Sequence, residues 1–199
     1  MYVSHTYKIC WFPITKCASS SFRWMFKQHD IVNDLSKGRD WGWFLYDKKY
    51  LNYFNFTIIR NPYSRLVSCW VDKVLQSDRW IKKGRQSDII HHMIDNNFTF
   101  EQFIKHVCND TSFRDAHWWS YNQFIPKQFE EFGTVVKCET LEEDFNHLKK
   151  KIGLNECTLI TRNITNHDHY TTYYTDELIE LVSRKFRHDL LRFNYSFGN

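Results

Sequence analysis

A lysine and a run of small residues, several of them with hydroxyl groups, stand together from Lys16 to Ser21 (KCASSS). The run follows a short apolar segment and precedes a helical pattern, so it joins a predicted strand to a predicted helix. Backbone N–H groups at a helix start, serine hydroxyls and an ammonium group all favour an anion. The segment therefore predicts a cradle for phosphate or sulfate, although by itself it also fits an ordinary helix cap. It differs from a Walker A loop, because Lys16 precedes the small residues and no glycine is present.

A second constellation begins with Arg60 in the sequence RNPYSRLVS. Arg60 ends a strongly apolar segment, and Ser64 and Ser68 lie on the helix that is predicted to follow. A guanidinium can donate two parallel hydrogen bonds to a phosphate, and the serine hydroxyls add further donors. These residues predict a second anion site, whereas Arg60 and Arg65 taken alone fit arginines that are solvated or paired with Asp72.

The elements that must position both segments alternate between strands and helices. β-Branched and aromatic residues predict a strand at Phe54–Ile59, and Asn61 with Pro62 is typical of a helix start. Further strands are predicted at residues 7–12, 134–137 and 158–161. Helices are predicted from the Lys16–Ser21 loop to about residue 29 and at residues 62–75, 100–107, 140–152 (opened by a capping box) and 175–188. Residues 76–97 are polar and charged and are predicted to form a loop or a lid.

Strands that alternate with helices at this spacing predict βαβ crossovers and an α/β fold, with a central parallel sheet flanked by helices on both faces. Ligands of such sheets bind beyond the carboxyl ends of the strands. We therefore expect the two anion-binding segments at the same sheet edge, and two cradles imply a ligand with two separated phosphate-like groups. The 199 residues are expected to form a single domain, 1–199.

Composition limits the classes of protein that remain. A net charge of +4 suits an anionic ligand but is far below the dense basic stripe of a dedicated nucleic-acid binder. No uncharged stretch approaches the roughly 18 residues that span a bilayer, and the first residues lack the apolar run of a signal peptide. We therefore expect a soluble, cytoplasmic protein without a membrane span. The six cysteines form no CxxC pair, so we expect free thiols and no metal site.

Together the two segments resemble the sulfotransferases that use 3′-phosphoadenosine 5′-phosphosulfate (PAPS). The 5′-phosphosulfate loop of that family has a Pro-Lys-x-[Gly/Ala]-x-[Ser/Thr] character, which is matched by Pro13 with residues 16–21. Its 3′-phosphate motif, Arg-[Asn/Asp]-Pro followed by Arg-Leu-Val-Ser, is matched by residues 60–68. The sequence looks most similar to Golgi carbohydrate sulfotransferases of the chondroitin 4-O-sulfotransferase and HNK-1 sulfotransferase type. Further matching blocks are His117-Trp118, residues 137–145 and residues 193–196.

Two departures from the family pattern are visible. Pro13 stands three residues before Lys16 instead of directly before it. The membrane anchor and stem of the family are not expected in this chain.

The resemblance implies a P-loop-NTPase-like three-layer fold and an enzyme that moves the sulfuryl group of PAPS to a carbohydrate hydroxyl by in-line displacement, without a metal. Lys16 would bind the bridging oxygen between sulfate and 5′-phosphate and offset charge on the departing adenosine 3′,5′-bisphosphate. Arg60 and Ser68 would bind the 3′-phosphate. The other cofactor-binding residues are expected to be Cys17, Ala18, Ser19, Ser20 and Ser21.

A sugar hydroxyl needs a general base, and His117 is the preferred candidate because it stands beside two tryptophans. A histidine in an aromatic cluster also fits a purely structural role. The alternatives for the base are Asp40, Glu139 and His167. Aromatic rings suit sugar faces, and the predicted substrate-binding residues are Trp118, Trp119 and Trp43. The basic residues that suit an anionic or N-acetylhexosamine-containing glycan include Lys48, Lys82 and Arg85.

Three other interpretations remain open. A P-loop nucleotide or small-molecule kinase would share the parallel sheet and an anion loop, but the sequence lacks the Walker lysine position and an obvious magnesium carboxylate. A nucleic-acid-binding module could use the aromatic and basic residues for stacking and phosphate contacts. A non-catalytic relative would bind the donor only, although Lys16, Arg60 and Ser68 are all present.

Overall fold

The computed structural model describes residues 1–28, 48–82, 84, 87–109, 115–160 and 166–199, without the side chains of residues 48, 49 and 79. The strands are β1 (Tyr2–Ser4), β2 (Ile9–Phe12), β3 (Phe54–Ile59) and β4 (Gly133–Lys137). The α-helices are α1 (Ser19–Gln28), α2 (Pro62–Trp70), α3 (Asp78–Ile81), α4 (Asp88–Asp95), α5 (Phe100–Asn109), α6 (Phe129–Phe132), α7 (Leu141–Lys151), α8 (Asp176–Lys185) and α9 (Arg187–Arg192). These residues divide into two compact units, unit 1 (Met1–Arg60 with Tyr121–Ile164) and unit 2 (Asn61–Ser120 with Thr165–Asn199).

Unit 1 contains a mixed four-stranded sheet in the order β1-β2-β3-β4. The α/β class is confirmed, but a wholly parallel sheet is wrong, because β1 runs antiparallel to β2 and pairs Tyr2 with Trp11. Only a few residues separate β1 from β2, and a connection that short permits a hairpin but no crossover. The pairings of β2 with β3 and of β3 with β4 are parallel, as the sequence predicts.

The register of the parallel strands brings their carboxyl ends to one edge. Phe12 at the end of β2 pairs with Thr57, and Ile59 at the end of β3 pairs with Lys137 at the end of β4. The Thr57 hydroxyl also donates a hydrogen bond of 2.8 Å to the Phe12 carbonyl. The loops that follow these three strands therefore start side by side.

Aromatic side chains form the core of unit 1 and fix its helices to the sheet. Trp11 of β2 lies 5.3 Å from Phe26 of α1, and Phe22 of α1 lies 6.0 Å from Phe56 of β3, measured between ring centroids. Phe145 of α7 lies 6.1 Å from Phe22 in an edge-to-face pair. Such pairs add about 0.5–1.5 kcal/mol each beyond the burial of apolar area. The first turn of α1 is thus held next to the end of β2.

Unit 2 opens with α2, which starts as the sequence predicts. Asn61 is the N-cap, its side chain accepts a hydrogen bond from the Tyr63 N–H, and Pro62 is the first helical residue. The helical path continues to Leu75, with its last turn, Val71–Leu75, wound as a π turn. The Gln76 N–H closes that turn by donating to the Val71 carbonyl over 2.8 Å.

The prediction of a loop or lid at residues 76–97 is wrong for the part of this segment that the structure describes. It contains α3 and α4, and α4 buries Ile89, Ile90 and Met93. Their spacing places them on one face of the helix. The segment as a whole is rich in charged and polar residues, so its average composition does not reveal this apolar face.

Three other expected elements differ from the structure. Residues 158–160 form no strand. The capping box at Thr140 is absent, because its backbone (φ −113°, ψ 11°) is not extended and its hydroxyl donates to Asp144. The last predicted helix ends at Lys185, and α9 follows as a separate helix after a break at the buried Phe186.

Candidate active site

The Lys16 loop has an unusual backbone. Lys16 (φ +65°) and Ala18 (φ +52°) both adopt the left-handed conformation, which residues with a Cβ rarely enter, and the φ of Cys17 between them is not positive. Alternation of hand in this way forms the concave backbone nests that bind anions. Strain of this kind persists where the surrounding structure enforces it, and it is concentrated at functional sites.

Internal hydrogen bonds define the shape of this loop. The Cys17 N–H donates to the Ile14 carbonyl over 3.3 Å, and the Ala18 carbonyl accepts from the N–H groups of Ser21 and Phe22 at 3.0 and 3.2 Å. Helix α1 therefore begins directly after the left-handed residues, at Ser19. The first turn of α1 therefore lies at the carboxyl edge of the sheet, next to the end of β2.

Arg60 lies at the same edge, directly after β3. The prediction that both anion-binding segments start at one sheet edge is confirmed by the register of β2 and β3. The buried Tyr121 fixes the backbone here, because its hydroxyl accepts from the Arg60 N–H at 3.2 Å and donates to the Arg60 carbonyl. Arg60 itself is half-buried.

A pair of thiols links the Lys16 loop to the end of β4. The hydrogen bond between Cys17 and Cys138 raises the pKa of the Cys138 thiol well above its ordinary value, and burial adds to this effect. Nearby Arg60 lowers that pKa and Glu139 raises it, so these four residues lie close together in unit 1. All six cysteines of the chain are free thiols in this structure.

In unit 2, the two serines that follow the arginine motif lie on α2. Ser64 and Ser68 are both buried. Asp72, in the π turn, contacts Lys73 at 3.3 Å and accepts a hydrogen bond of 3.1 Å from the Trp80 indole.

Arg65 is also buried in unit 2 and is only 1% exposed. Its guanidinium donates to the Trp119 carbonyl at 2.7 Å and to the Ala116 carbonyl at 3.4 Å. The interpretation of Arg65 as a solvated residue is therefore wrong.

His117 lies in a 3₁₀ turn, Ala116–Trp118, which Asp115 caps. The Asp115 Oδ1 atom accepts from the His117 backbone N–H at 2.8 Å and lies 2.5 Å from His117 Nδ1. The Ser87 hydroxyl donates to the other carboxylate oxygen at 2.7 Å. The His117 side chain is 26% exposed and that of Asp115 only 9%.

These contacts determine the charge of Asp115 and the orientation of the imidazole. Burial alone would raise the pKa of Asp115, but hydrogen bonds and charge from His117, with the Ser87 hydroxyl, outweigh it and lower this pKa to about 2. The carboxylate is ionised at neutral pH and attracts the imidazole proton to Nδ1, so Nε2 carries the lone pair. A histidine held by a carboxylate in this way is equipped to act as a general base.

The other predicted site residues have different positions. Trp118 is 5% exposed and lies edge-on to Phe103 in the core of unit 2, so its ring offers almost no face to a sugar, and its predicted role is not supported. Trp119 is half-buried, Glu139 is exposed after β4, and His167 is half-buried with Nδ1 at 2.7 Å from the Asp168 carbonyl. The residues outside the described part of the chain are Trp43, Asp40 and Arg85, with the side chain of Lys48.

Several site residues were not found from the sequence alone. Asp115 could have been found, because an acidic residue two positions before a histidine can cap the turn that carries it. Ser87, Tyr121 and the contacts of Arg65 leave no local signal, since their partners are distant along the chain.

Among residues 1–28, 48–82, 84, 87–109, 115–160 and 166–199, no group of three or more histidines, cysteines and carboxylates could hold a metal ion. Within the same part of the chain, no helix is both long and apolar enough to cross a membrane.

Comparison with known proteins assigns the family. The model of the sulfotransferase family matches residues 1–196. The chain belongs to the sulfotransferase family. This sulfotransferase is similar to carbohydrate sulfotransferase 10 of Homo sapiens (24% identical over 172 residues) and of Gallus gallus (25% over 173 residues). It is also similar to carbohydrate sulfotransferase 11 of Rattus norvegicus, with 24% identity over 170 residues.

Each of these matches covers 74% of this sulfotransferase and 48% of the relative. The chain thus spans about half the length of the curated relatives it matches. No solved structure matches it at a significant level. The predicted cytoplasmic location is wrong, because the relatives are carbohydrate sulfotransferases, the Golgi type named above.

Proposed function

We propose that the protein transfers a sulfuryl group from PAPS to a hydroxyl of a carbohydrate acceptor, as a single sulfotransferase domain with a P-loop-NTPase-like fold. The observation that carries this proposal is the left-handed backbone of Lys16 and Ala18 at the start of α1, on the sheet edge that also holds Arg60. Membership of the sulfotransferase family supports the reaction. The names of the relatives support a carbohydrate as the acceptor.

The residues of the Lys16 loop fit the phosphosulfate group of the donor. When bound, the donor supplies a sulfuryl group attached to a phosphate that can leave. The Lys16 ammonium would bind the bridging oxygen and offset the charge that develops there. Cys17, Ala18, Ser19, Ser20 and Ser21 would supply backbone N–H groups, and the three serines would add hydroxyls.

Arg60 and Ser68 are the proposed ligands of the 3′-phosphate. Tyr121 holds the backbone of Arg60 through two hydrogen bonds, which prepares the start of this motif before a ligand arrives. The product, adenosine 3′,5′-bisphosphate, would be held by the same groups.

His117 is the proposed general base. Its Nε2 atom would take the proton of the acceptor hydroxyl, and the adjacent Asp115 carboxylate would stabilise the imidazolium that forms. Trp119 and Trp43 are the proposed aromatic surfaces for the sugar, and an anionic glycan suits the net charge of +4.

Donor binding is tested by thermal stabilisation of the protein with adenosine 3′,5′-bisphosphate, AMP, magnesium ATP and an oligonucleotide in parallel. We expect strong stabilisation by the bisphosphate only, since it alone presents both phosphates. Arg60→Ala should bind it about 10- to 100-fold more weakly, because charged hydrogen bonds are lost. The matched control is Arg23→Ala, an exposed arginine on α1. An unchanged dissociation constant in Arg60→Ala would contradict the proposed phosphate site.

Transfer is tested with labelled PAPS and three acceptors, namely a glycan, a phenol and a small alcohol. The glycan should be the preferred acceptor, and a preference for the phenol would refute the carbohydrate proposal. The wild-type rate should fall as acid protonates the base, and His117→Ala should lack this acidic limb. If the limb persists in the variant, the base is one of the alternatives, such as Glu139 or His167.

A further inference from the structure

One guanidinium joins two carbonyls on either side of the proposed base. Arg65 of α2 donates to the Ala116 carbonyl before His117 and to the Trp119 carbonyl after it. Ala116 begins the 3₁₀ turn and Trp119 follows its last residue, so the two bonds lie at the two ends of the turn. Arg65 makes these bonds from inside the protein core, where its side chain is almost completely buried.

The start of the turn is also held independently of Arg65. The Asp115 carboxylate accepts from the His117 backbone N–H, and the Ser87 hydroxyl donates to the same carboxylate at 2.7 Å. Trp118, within the turn, packs edge-on against Phe103 of α5 at 5.9 Å between ring centroids. His117, whose side chain is 26% exposed, therefore lies on a turn that is held at both ends and by the packing of Trp118.

An arginine can bond the Ala116 and Trp119 carbonyls at the same time better than a lysine could. The planar fork of the guanidinium presents several N–H donors in fixed directions, so one side chain can span two carbonyls three residues apart. A lysine ammonium in the same place carries the charge on a single point. A cation near the carbonyl end of the turn also favours the turn dipole.

We propose that Arg65 is a positioning residue of the sulfotransferase reaction: it fixes the 116–119 turn so that the His117 imidazole keeps its bond to Asp115 and aims Nε2 at the acceptor hydroxyl. This inference rests on the proposed function, because it takes His117 as the base. Arg65 itself touches neither donor nor acceptor in this proposal, and it acts only through the turn.

The test is Arg65→Lys, which preserves the charge and removes the fork. A displacement of a catalytic group by about 1 Å can cost about 100-fold in rate, so kcat should fall about 100-fold. The KM for acceptor and the dissociation constant of adenosine 3′,5′-bisphosphate should change less than about threefold, since no binding group is removed. Arg187→Lys, an exposed arginine on α9, is the matched control and should keep wild-type kcat.

A second variant and a second readout keep the proposal testable without activity. Added guanidinium ion should restore part of kcat in Arg65→Ala, and sodium chloride at equal ionic strength should not. In proton NMR, the His117 Nδ1 proton bonded to Asp115 should give a downfield signal in the wild type that weakens in Arg65→Lys. Asp115→Asn assigns that signal.

The two proposals fail in distinguishable ways. If the wild-type protein sulfates no acceptor, the proposed function is overturned. If Arg65→Lys nevertheless weakens the downfield signal, Arg65 remains the residue that positions the His117–Asp115 pair. An Arg65→Lys protein that retains both kcat and the downfield signal would overturn the role of Arg65. A fall in bisphosphate affinity equal to the fall in kcat would also overturn it, because Arg65 would then act in binding.

Discussion

The Asp115→Asn variant probes the dyad most directly. Asparagine keeps the shape of the side chain and can still accept from the His117 backbone N–H, but it removes the negative charge beside the imidazole. The Asp115 side chain is 9% exposed, so solvent screens this interaction little. Loss of the charge should therefore affect both the stability of the protein and the basicity of His117.

The pKa of Asp115 gives the magnitude and the pH range. Burial opposes the shift, but contacts with His117 and Ser87 lower this pKa from 3.8 to about 2. At about 1.4 kcal/mol per pKa unit, the ionised carboxylate stabilises the fold by about 2 kcal/mol. Because the folded-state pKa is depressed, this contribution is fully present above about pH 4 and is lost as the pH falls from about 4 to about 2.

The assay is urea unfolding of wild type and Asp115→Asn from pH 2 to pH 6. The difference in free energy of unfolding should be about 2 kcal/mol at pH 5 and should have lost most of this value at pH 2, because the Asp115 carboxylate is then about half protonated. Asp95→Asn is the control, since Asp95 is exposed at the end of α4 and its replacement should change the free energy of unfolding little. A difference in free energy of unfolding that does not depend on pH would refute the depressed pKa of Asp115. If Asp115 supports His117 as a general base, Asp115→Asn should lower kcat by about 100-fold or more, and an unchanged kcat would refute that role.

Two further predictions concern the Lys16 loop. Lys16→Ala should lower kcat by about 100- to 1000-fold and change donor affinity less, because its bond to the bridging oxygen strengthens as the leaving group gains charge; a rise in the KM for PAPS alone would make Lys16 a binding residue only. In the folded protein at pH 8, Cys138 should react with iodoacetamide far more slowly than a free thiol, since its bond to Cys17 and burial raise its pKa. After denaturation without reductant, mass spectrometry should find six alkylated cysteines, and fewer than six would contradict the free thiols.

Elements with a local chemical signal could be predicted from the sequence. Strand β3 at Phe54–Ile59 has the predicted bounds because β-branched and aromatic residues fill it, and α2 starts at Pro62 because Asn61 accepts from the backbone two residues later. The shared sheet edge of the Lys16 loop and Arg60 also followed from the sequence, since parallel strands have their carboxyl ends together.

Features that depend on distant partners could not be predicted. Arg65 reads as a surface residue of α2, and only the fold brings it to carbonyls more than fifty residues away. The left-handed Lys16 and Ala18 also give no signal, because neither is a residue type that favours that conformation. For His117, the sequence indicates a histidine beside tryptophans, but the fold alone reveals that one of those rings is buried.

The hydroxyl of Tyr121 has a consequence for chain topology. The polypeptide leaves unit 1 after Arg60 and re-enters it at Tyr121, and the bonds between these two residues make the exit and the re-entry adjacent. The 60 residues from Asn61 to Ser120 are therefore an insertion in the sequence of unit 1, and the two ends of this insertion are held together. The entropic cost of closing a loop grows only by about 0.6 kcal/mol for each doubling of the loop length. Insertions or deletions within residues 61–120 should thus cost unit 1 little in loop entropy, provided that the tyrosine hydroxyl keeps the two ends together.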